Sequence, residues 1–338
     1  MPVQPLDDTT LRELVGDAVT APSMHNAQPW RFLFRRSSRT FALRAEFDRE
    51  MPEADPSTRG LHVGCGAALL NLRVSACHRG FSPVTTLFPR PAEPDLVATV
   101  RLDPGSGGPG VPGDAELAAL HPAIRLRRTS RYPFDGRVIP GGVRALLAEA
   151  ARREDAAFAF LAPDDLDGVL VLIRDAEVLD LTDPAREAEQ RYWTRNTEAR
   201  IPADGVPDYA FGPTDASGRA LNRDFAGTEA VPGRDHALFE ARPQLALLRT
   251  GRDRPADWMR AGQALERVLL TAVAHGLVAA FATQPLEWPE LRRLLRDPAL
   301  GTGHPQMILR LGYGPAAQPL LGAQHPARRR GVRPHGLG

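Results

Sequence analysis

The sequence predicts an α+β protein made of two like units in one chain. Three observations carry this. Helical and strand patterns alternate twice along the 338 residues. A glycine- and proline-rich stretch at 104–115 separates the two runs. A shift of 196 residues sets Gly66, Ala68, Leu69, Ala76 and Gly80 on Gly262, Ala264, Leu265, Ala272 and Gly276. Each matched run reads as a long helix just before a strand. The units therefore span 1–103 and 116–338, with 104–115 as linker. Their long helices are expected to pack on each other about a pseudo-two-fold axis.

In the first unit a helix over 8–19 stops before Pro22, which has no N–H to donate and disfavours helical backbone at Ala21. Residues 31–35 and the alternating 41–45 read as a hairpin. Asp55, Ser57 and Thr58 offer capping oxygens to a helix over 58–79, which ends at Gly80. Strands follow near 84–88 and 96–102. The second unit starts with 116–125 and the arginine-rich run after it; helices are expected over 141–152 and 166–180, and strands over 157–161, 244–250 and 306–312. A long helix opens at Asp257 and closes near Gly276, and a short one covers 287–296. Residues 182–231 differ in kind, being rich in Pro, Gly, Asp and Arg with Tyr192, Trp193, Tyr209 and Phe211 interspersed. Such a stretch inside a compact fold reads as a lid or a partly helical excursion.

Composition removes several functions. With 42 basic and 41 acidic residues the net charge is +1, against the basic excess that nucleic acid or a membrane surface demands. No apolar run approaches the ~20 residues of a spanning helix, and the first residues lack the basic and apolar regions of a signal peptide. Cys65 and Cys77 fall on one helix, ~18 Å apart and beyond disulfide reach. A reduced, cytoplasmic protein is the expectation. All basic residues are arginine. A P-loop, a protein kinase or a Schiff-base enzyme needs a lysine, so these are excluded. Arginine remains, with a planar fork suited to phosphate. Gly64-Cys65-Gly66 imitates a dinucleotide fingerprint, but Leu69 replaces its third glycine, and the small residues read instead as a close helix contact. The histidines show no metal spacing and no Gly-x-Ser-x-Gly elbow exists, so no metal is expected.

The stretch Pro22-Ser23-Met24-His25-Asn26-Ala27-Gln28-Pro29-Trp30 remains. A hydroxyl and two carboxamides suit the edge of a planar heterocycle that mixes donors and acceptors. Trp30, just ahead of a strand, reads as core. The second such stretch is Arg127-Arg128-Thr129-Ser130-Arg131. With Gly312-Tyr313-Gly314, the arginines beyond it, Ala261 to Arg267, and Thr283-Gln284-Pro285-Leu286-Glu287, the order and spacing of these motifs resemble the FMN-dependent nitroreductase superfamily. Within it the sequence is similar to the Acg-like, dormancy-associated branch, in which the fold is duplicated in a single chain.

That resemblance implies a nitroreductase-like fold occurring twice, with antiparallel-type mixed sheets forming an intramolecular pseudo-dimer and a lid over about 182–231. It implies FMN between the units, its phosphate held by Arg127, Arg128, Thr129 and Arg131, with Arg328 and Arg330 as further candidates. Pro22, Ser23, Met24, Asn26 and Gln28 would line the ring, and Thr283 and Gln284 would lie near its reactive end. The first unit has the loop without the arginine clamp, and the second has the clamp without the loop. One composite site and one FMN per chain follow. The flavin would carry the chemistry, taking hydride from a transient NADH or NADPH and passing it to a small planar acceptor such as a quinone or nitroaromatic. The alternative is a protein that sequesters FMN beneath its lid with little turnover. A monomeric pseudo-dimer is expected, and whether it pairs further is left open.

Overall fold

Each unit folds an antiparallel four-stranded sheet over one long helix. The computed structural model describes residues 6–104, 112–195, 204–216, 223–227, 231–297 and 300–314. The first unit runs α1 (Asp8–Ala18), β1 (Trp30–Arg35), β2 (Thr40–Ala45), α2 (Arg59–His78), β3 (Phe81–Leu87) and β4 (Leu96–Pro104). The second runs α3 (Pro112–Ala119), α4 (His121–Leu126), α5 (Gly141–Arg152), β5 (Ala156–Phe160), α6 (Pro163–Thr182) and α7 (Pro184–Tyr192). It continues through β6 (Gln244–Thr250), α8 (Pro255–Ala274), β7 (Val278–Phe281), α9 (Pro289–Leu294) and β8 (His304–Gly312). Between α7 and β6, Thr194–Arg195 pairs with Val206–Pro207 and Thr214–Asp215 with His236–Ala237, both parallel.

The first sheet has the order β1-β2-β4-β3 and the second β5-β6-β8-β7. Both place their strands first, second, fourth, third in chain order, and both insert the long helix between the second and third. The ladders within these sheets are antiparallel throughout, the antiparallel type expected. An isolated parallel bridge joins Thr129 to Ala279 on β7. Along β2 burial alternates, Phe41, Leu43 and Ala45 facing the core. β6 is buried along nearly all its length, as a strand between two neighbours under a helix must be.

The helices α2 and α8 pack against each other. A Cβ on Gly66 would lie 2.2 Å from Met259 O, and one on Gly262 would lie 2.0 Å from Val63 O. The two contacts are reciprocal at the 196-residue offset. The cores repeat this, since Met259 packs into the first unit's core with Leu14, Phe41 and Leu69, and Val63 into the second's with Leu147, Leu265 and Leu309. Gly80 and Gly276, also offset by 196, close α2 and α8 in left-handed backbone (φ 81° and 72°) that favours glycine.

Several expected boundaries shift. Residues 112–115, expected as linker, are the start of α3, which packs on α2. The second unit opens on two helices, α3 and α4, broken where Pro122 opens a new first turn. At the start of α2 the hydroxyls do not cap. Thr58 holds left-handed backbone, and the Asp55 carboxylate instead accepts from Leu61 N at 2.9 Å. Asp17 ties α1 to α2 and α4, accepting from Ser75 Oγ (2.7 Å) and Arg125 Nη2 (3.0 Å) and meeting His121 Nε2 at 3.0 Å. Among the described residues no helix is long and apolar enough to cross a membrane. No metal-ligating cluster forms among them either.

Candidate functional site

The loop after α1 turns sharply and is held from both sides. His25, Asn26 and Gln28 adopt left-handed backbone (φ 45°, 57° and 53°), a conformation costly for side chains other than glycine and sparingly used outside functional turns. Ser23 Oγ accepts from Gln28 N at 2.9 Å and closes the turn. The turn rests on α2 at Gly64, where a Cβ would meet Ser23 Cβ at 3.2 Å. Small residues on α2 thus admit both the turn and α8. The Asn26 amide donates to Gly205 O (3.0 Å), while Gly205 N donates to Asn26 O (3.3 Å). That pair of hydrogen bonds clasps the turn to the segment beginning at Asp204.

The arginine stretch arrives from the second unit. Arg127 follows α4, buried, its Nη2 donating to Thr20 O at 3.1 Å and its Nε 3.6 Å from Glu266 Oε1. The chain then runs along β7, with Thr129 bridged to Ala279 and Ser130 N donating to Ala279 O at 2.8 Å. Arg131 donates to Ala210 O at 2.7 Å, and its guanidinium lies 4.8 Å from the centre of the Phe225 ring. Burial, helped by the Arg223 charge, lowers the Arg131 pKa to about 10, so it remains a cation at neutral pH.

These parts wall one cavity of about 320 Å³. Pro22, Ser23, Met24 and Asn26 line it from the first unit, and Arg127, Thr129, Arg131, Thr283 and Gln284 from the second. Gly205, Val206, Tyr209 and Phe225 form a further wall. Two expected residues do not line it. Gln28 is buried beneath the turn, its amide directed at Asn26 O (3.5 Å). Arg128 bends back onto its own backbone, donating to Arg125 O (2.8 Å) and Arg127 O (2.7 Å). Arg328 and Arg330 lie outside the described residues. Of the aromatic residues expected as cover, Tyr209 lines the cavity and Tyr192 is exposed. Trp193 packs with Ala27, Met51 and Ala54 instead, and Phe211 lies behind Phe225. Trp30 is core, as read.

The sequence reading missed His25, Asp55, Arg59, Arg223, Phe225 and Glu287, all of which line the cavity. Arg59 is buried and donates to Gln306 O at 2.6 Å; burial, then the nearby Arg292 charge, lowers its pKa to about 10. Arg223 donates to both Glu287 carboxylate oxygens at 2.6 Å. Burial acts against its charge, but Glu287, Asp180 and Glu177 outweigh that and raise its pKa. Four arginines thus face the cavity against the carboxylates of Asp55, Asp204 and Glu287, two of which are ion-paired, Asp204 to Arg49 (2.9 Å) and Glu287 to Arg223. The balance favours an anion. Arg127 Nε, Gln284 Oε1 and both His25 ring nitrogens are buried without a hydrogen-bond partner among the described residues. Such groups are costly unless a ligand or water meets them.

A family model described as the nitroreductase family matches residues 124–313, more than half of the chain. The chain belongs to the nitroreductase family. A Mycobacterium tuberculosis protein named "Putative NAD(P)H nitroreductase" is 34% identical over 324 residues, covering 93% of this chain and 88% of that protein. A second from the same organism, "Putative NAD(P)H nitroreductase acg", is 29% identical over 323 residues, covering 93% and 92%. A solved structure of "a putative nitroreductase" from Anabaena variabilis aligns with 93% of this chain and 90% of its own at 12% identity, with a TM-score of 0.48. The family match covers the arginine stretch, Thr283 and Gln284. The turn at 22–30 lies before the residues that the family model matches.

Proposed function

We propose that this nitroreductase-family protein is an FMN-dependent oxidoreductase with one composite site per chain. The observation that carries the reading is the meeting of two distant segments, the turn at 22–26 and the stretch at 127–131, around one cavity. A 320 Å³ pocket with mixed lining falls in the ordinary range for small-molecule sites. The lining fits the group, since the guanidinium groups of Arg127 and Arg131 suit phosphate and the Gln284 amide oxygen, which has no hydrogen bond among the described residues, suits an imide N–H at a ring edge.

We read the two units as copies of one fold, packed as a pseudo-dimer. Their common strand order, the paired glycine contacts at Gly66 and Gly262, and the exchanged core residues Val63 and Met259 support this. The segments at 204–216 and 223–227 are read as part of a lid, closed by the Asn26–Gly205 clasp and the Arg223–Glu287 pair.

When bound, FMN would supply two-electron hydride chemistry between a nicotinamide donor and a planar acceptor such as a quinone or nitroaromatic. The chain's own part is to hold and shield. Arg127 and Arg131 would neutralise the phosphate through charge-assisted bonds, with Thr129 adding a hydroxyl. Pro22, Ser23, Met24 and Asn26 would fix the ring from the first unit. Thr283 and Gln284, opening the turn at Gln284–Leu286, would place polar groups where negative charge develops. Phe225 and Tyr209 would exclude water from the outer face.

A second reading is favoured by the same clasp. If the lid stays shut, the protein sequesters FMN and turns over little. Anaerobic mixing decides between them. Bleaching of bound flavin by NADH or NADPH is the expected outcome, whereas bleaching by dithionite alone would leave the storage role. A colourless protein that takes up no FMN would overturn both.

A further inference from the structure

His25 stands between two cavities. The residue is 7% exposed, its ring meets Phe225 edge-on at 5.2 Å, and neither ring nitrogen has a hydrogen-bond partner among the described residues. It lines the main cavity and also a chamber of about 20 Å³ walled in part by Glu177, Asp180, Arg186, Glu189 and Arg223. That is room for one water molecule. The chamber holds a second unmatched atom, Asp180 Oδ2, which is 3.4 Å from Arg223 Nη1 without a hydrogen bond. A buried imidazole left bare on both nitrogens costs about 1–3 kcal/mol for each. A ring that borders two cavities can meet that cost from both. Burial, then the facing charges of Arg223 and Arg131, hold its pKa well below the usual histidine value. The ring is therefore neutral, with one donor and one acceptor nitrogen. A neutral imidazole moves a proton by taking one on the first nitrogen as it gives one from the second. Glu177 borders the chamber and accepts from Asp224 N (3.0 Å) and Gln284 Nε2 (3.2 Å); burial raises its pKa against the Arg223 charge and these bonds, which favours its protonated form.

We propose that His25 is a proton relay joining the main cavity to the acidic chamber at Glu177 and Asp180. The proposal rests on the oxidoreductase reading of the main cavity. Reducing a quinone-class acceptor to its hydroquinone needs one hydride and one proton. The hydride, with both electrons, comes from the reduced flavin. The proton comes from the His25 N–H to the acceptor oxygen, so an O–H bond forms as an N–H bond breaks. The other ring nitrogen takes a proton from the chamber water, which regains one from the Glu177 carboxyl. Half-buried Glu189, which accepts from Glu53 N (3.1 Å) and Ala54 N (2.8 Å), also borders the chamber, and solvent replaces that proton. His25 ends neutral, and no electron passes through it.

The test uses His25→Asn, because asparagine tolerates the left-handed backbone but has no ring to relay through. The flavoprotein is reduced with dithionite and mixed anaerobically with 1,4-benzoquinone, and reoxidation is followed per bound flavin. The expected result is at least a tenfold slower reoxidation, a changed solvent deuterium isotope effect, and partial restoration by added imidazole. A rate within twofold of the parent with the same isotope effect would overturn the proposal. A second readout needs no flavin: ¹⁵N resonances of the His25 ring in the flavin-free protein. They should report a neutral ring and shift in Asp180→Asn and in Glu177→Gln. Ring signals unmoved by both changes would overturn the relay while leaving the oxidoreductase reading intact. Failure to bind flavin would sink that reading, with the ring resonances still reporting on the relay's path.

Discussion

Asn26 does two things with one residue. Its left-handed backbone shapes the turn, and its amide and carbonyl clasp the segment at Gly205. Asn26→Ala should lose the amide's bond and force a Cβ-only side chain into that backbone. The expected result is FMN affinity lower by about tenfold, with thermal unfolding of the flavin-free protein moved by only a few degrees. Fluorescence titration and calorimetry on one preparation read both. Arg127→Gln should cost about 10- to 100-fold in FMN affinity, the scale of a charge-assisted bond lost from a buried site, and should affect riboflavin far less because riboflavin has no phosphate. Asp17 reports on stability instead. Burial pushes its pKa up, but bonds from His121, Ser75 and Arg125 win and bring it down to about 2. The folded value lies below the ordinary aspartate value of about 3.9, so the stabilisation is complete above that pH and lost as pH falls toward about 2. Asp17→Asn should therefore cost on the order of 1–2 kcal/mol at pH 7 by denaturant melts, and the cost should fade in acid.

Between elements, the tightest fit is α2 against α8. Gly66→Ala or Gly262→Ala would drive a methyl into backbone 2.2 or 2.0 Å away, where no flexible side chain can give. Either change should destabilise by about 3 kcal/mol. Gly16→Ala in α1 is the control, since a Cβ there meets nothing within 4 Å. It should stabilise by about 0.5–1 kcal/mol through helix propensity alone. Denaturation midpoints of the three variants check the contrast in sign. Much at this scale was readable from pattern. Pro22, Gly80 and the alternation along Phe41 to Ala45 each declare themselves by local chemistry, and local chemistry survives folding. What local pattern could not give were the breaks set by packing. The residues at 112–115 join α3 because α2 offers them a surface, and Thr58 fails to cap because the chain must turn at Asp55.

Over the whole molecule, the site lies where two distant parts of the sequence meet. Pro22 to Asn26 and Arg127 to Arg131 could be read as polar motifs, because hydroxyls, amides and arginine forks declare their chemistry without a fold. Arg59, Arg223 and Phe225 could not, because nothing near them in sequence separates a cavity wall from the many other arginines and aromatics. His25 sat inside a motif already noted, yet its worth comes from the two cavities it borders, and that is a three-dimensional fact. Gln28 and Arg128 show the converse: the right residue type in the right motif, turned away by backbone that needed its hydrogen bonds.

The central claim is that the two units together build one flavin site. A symmetric homodimer of such units would carry two. Protein saturated with FMN, freed of excess ligand and measured by flavin absorbance against protein concentration should hold about one flavin per chain, falling toward none in the Asn26→Ala, Arg127→Gln double variant. A ratio near two in the parent, or a double variant that keeps its flavin, would contradict the composite site.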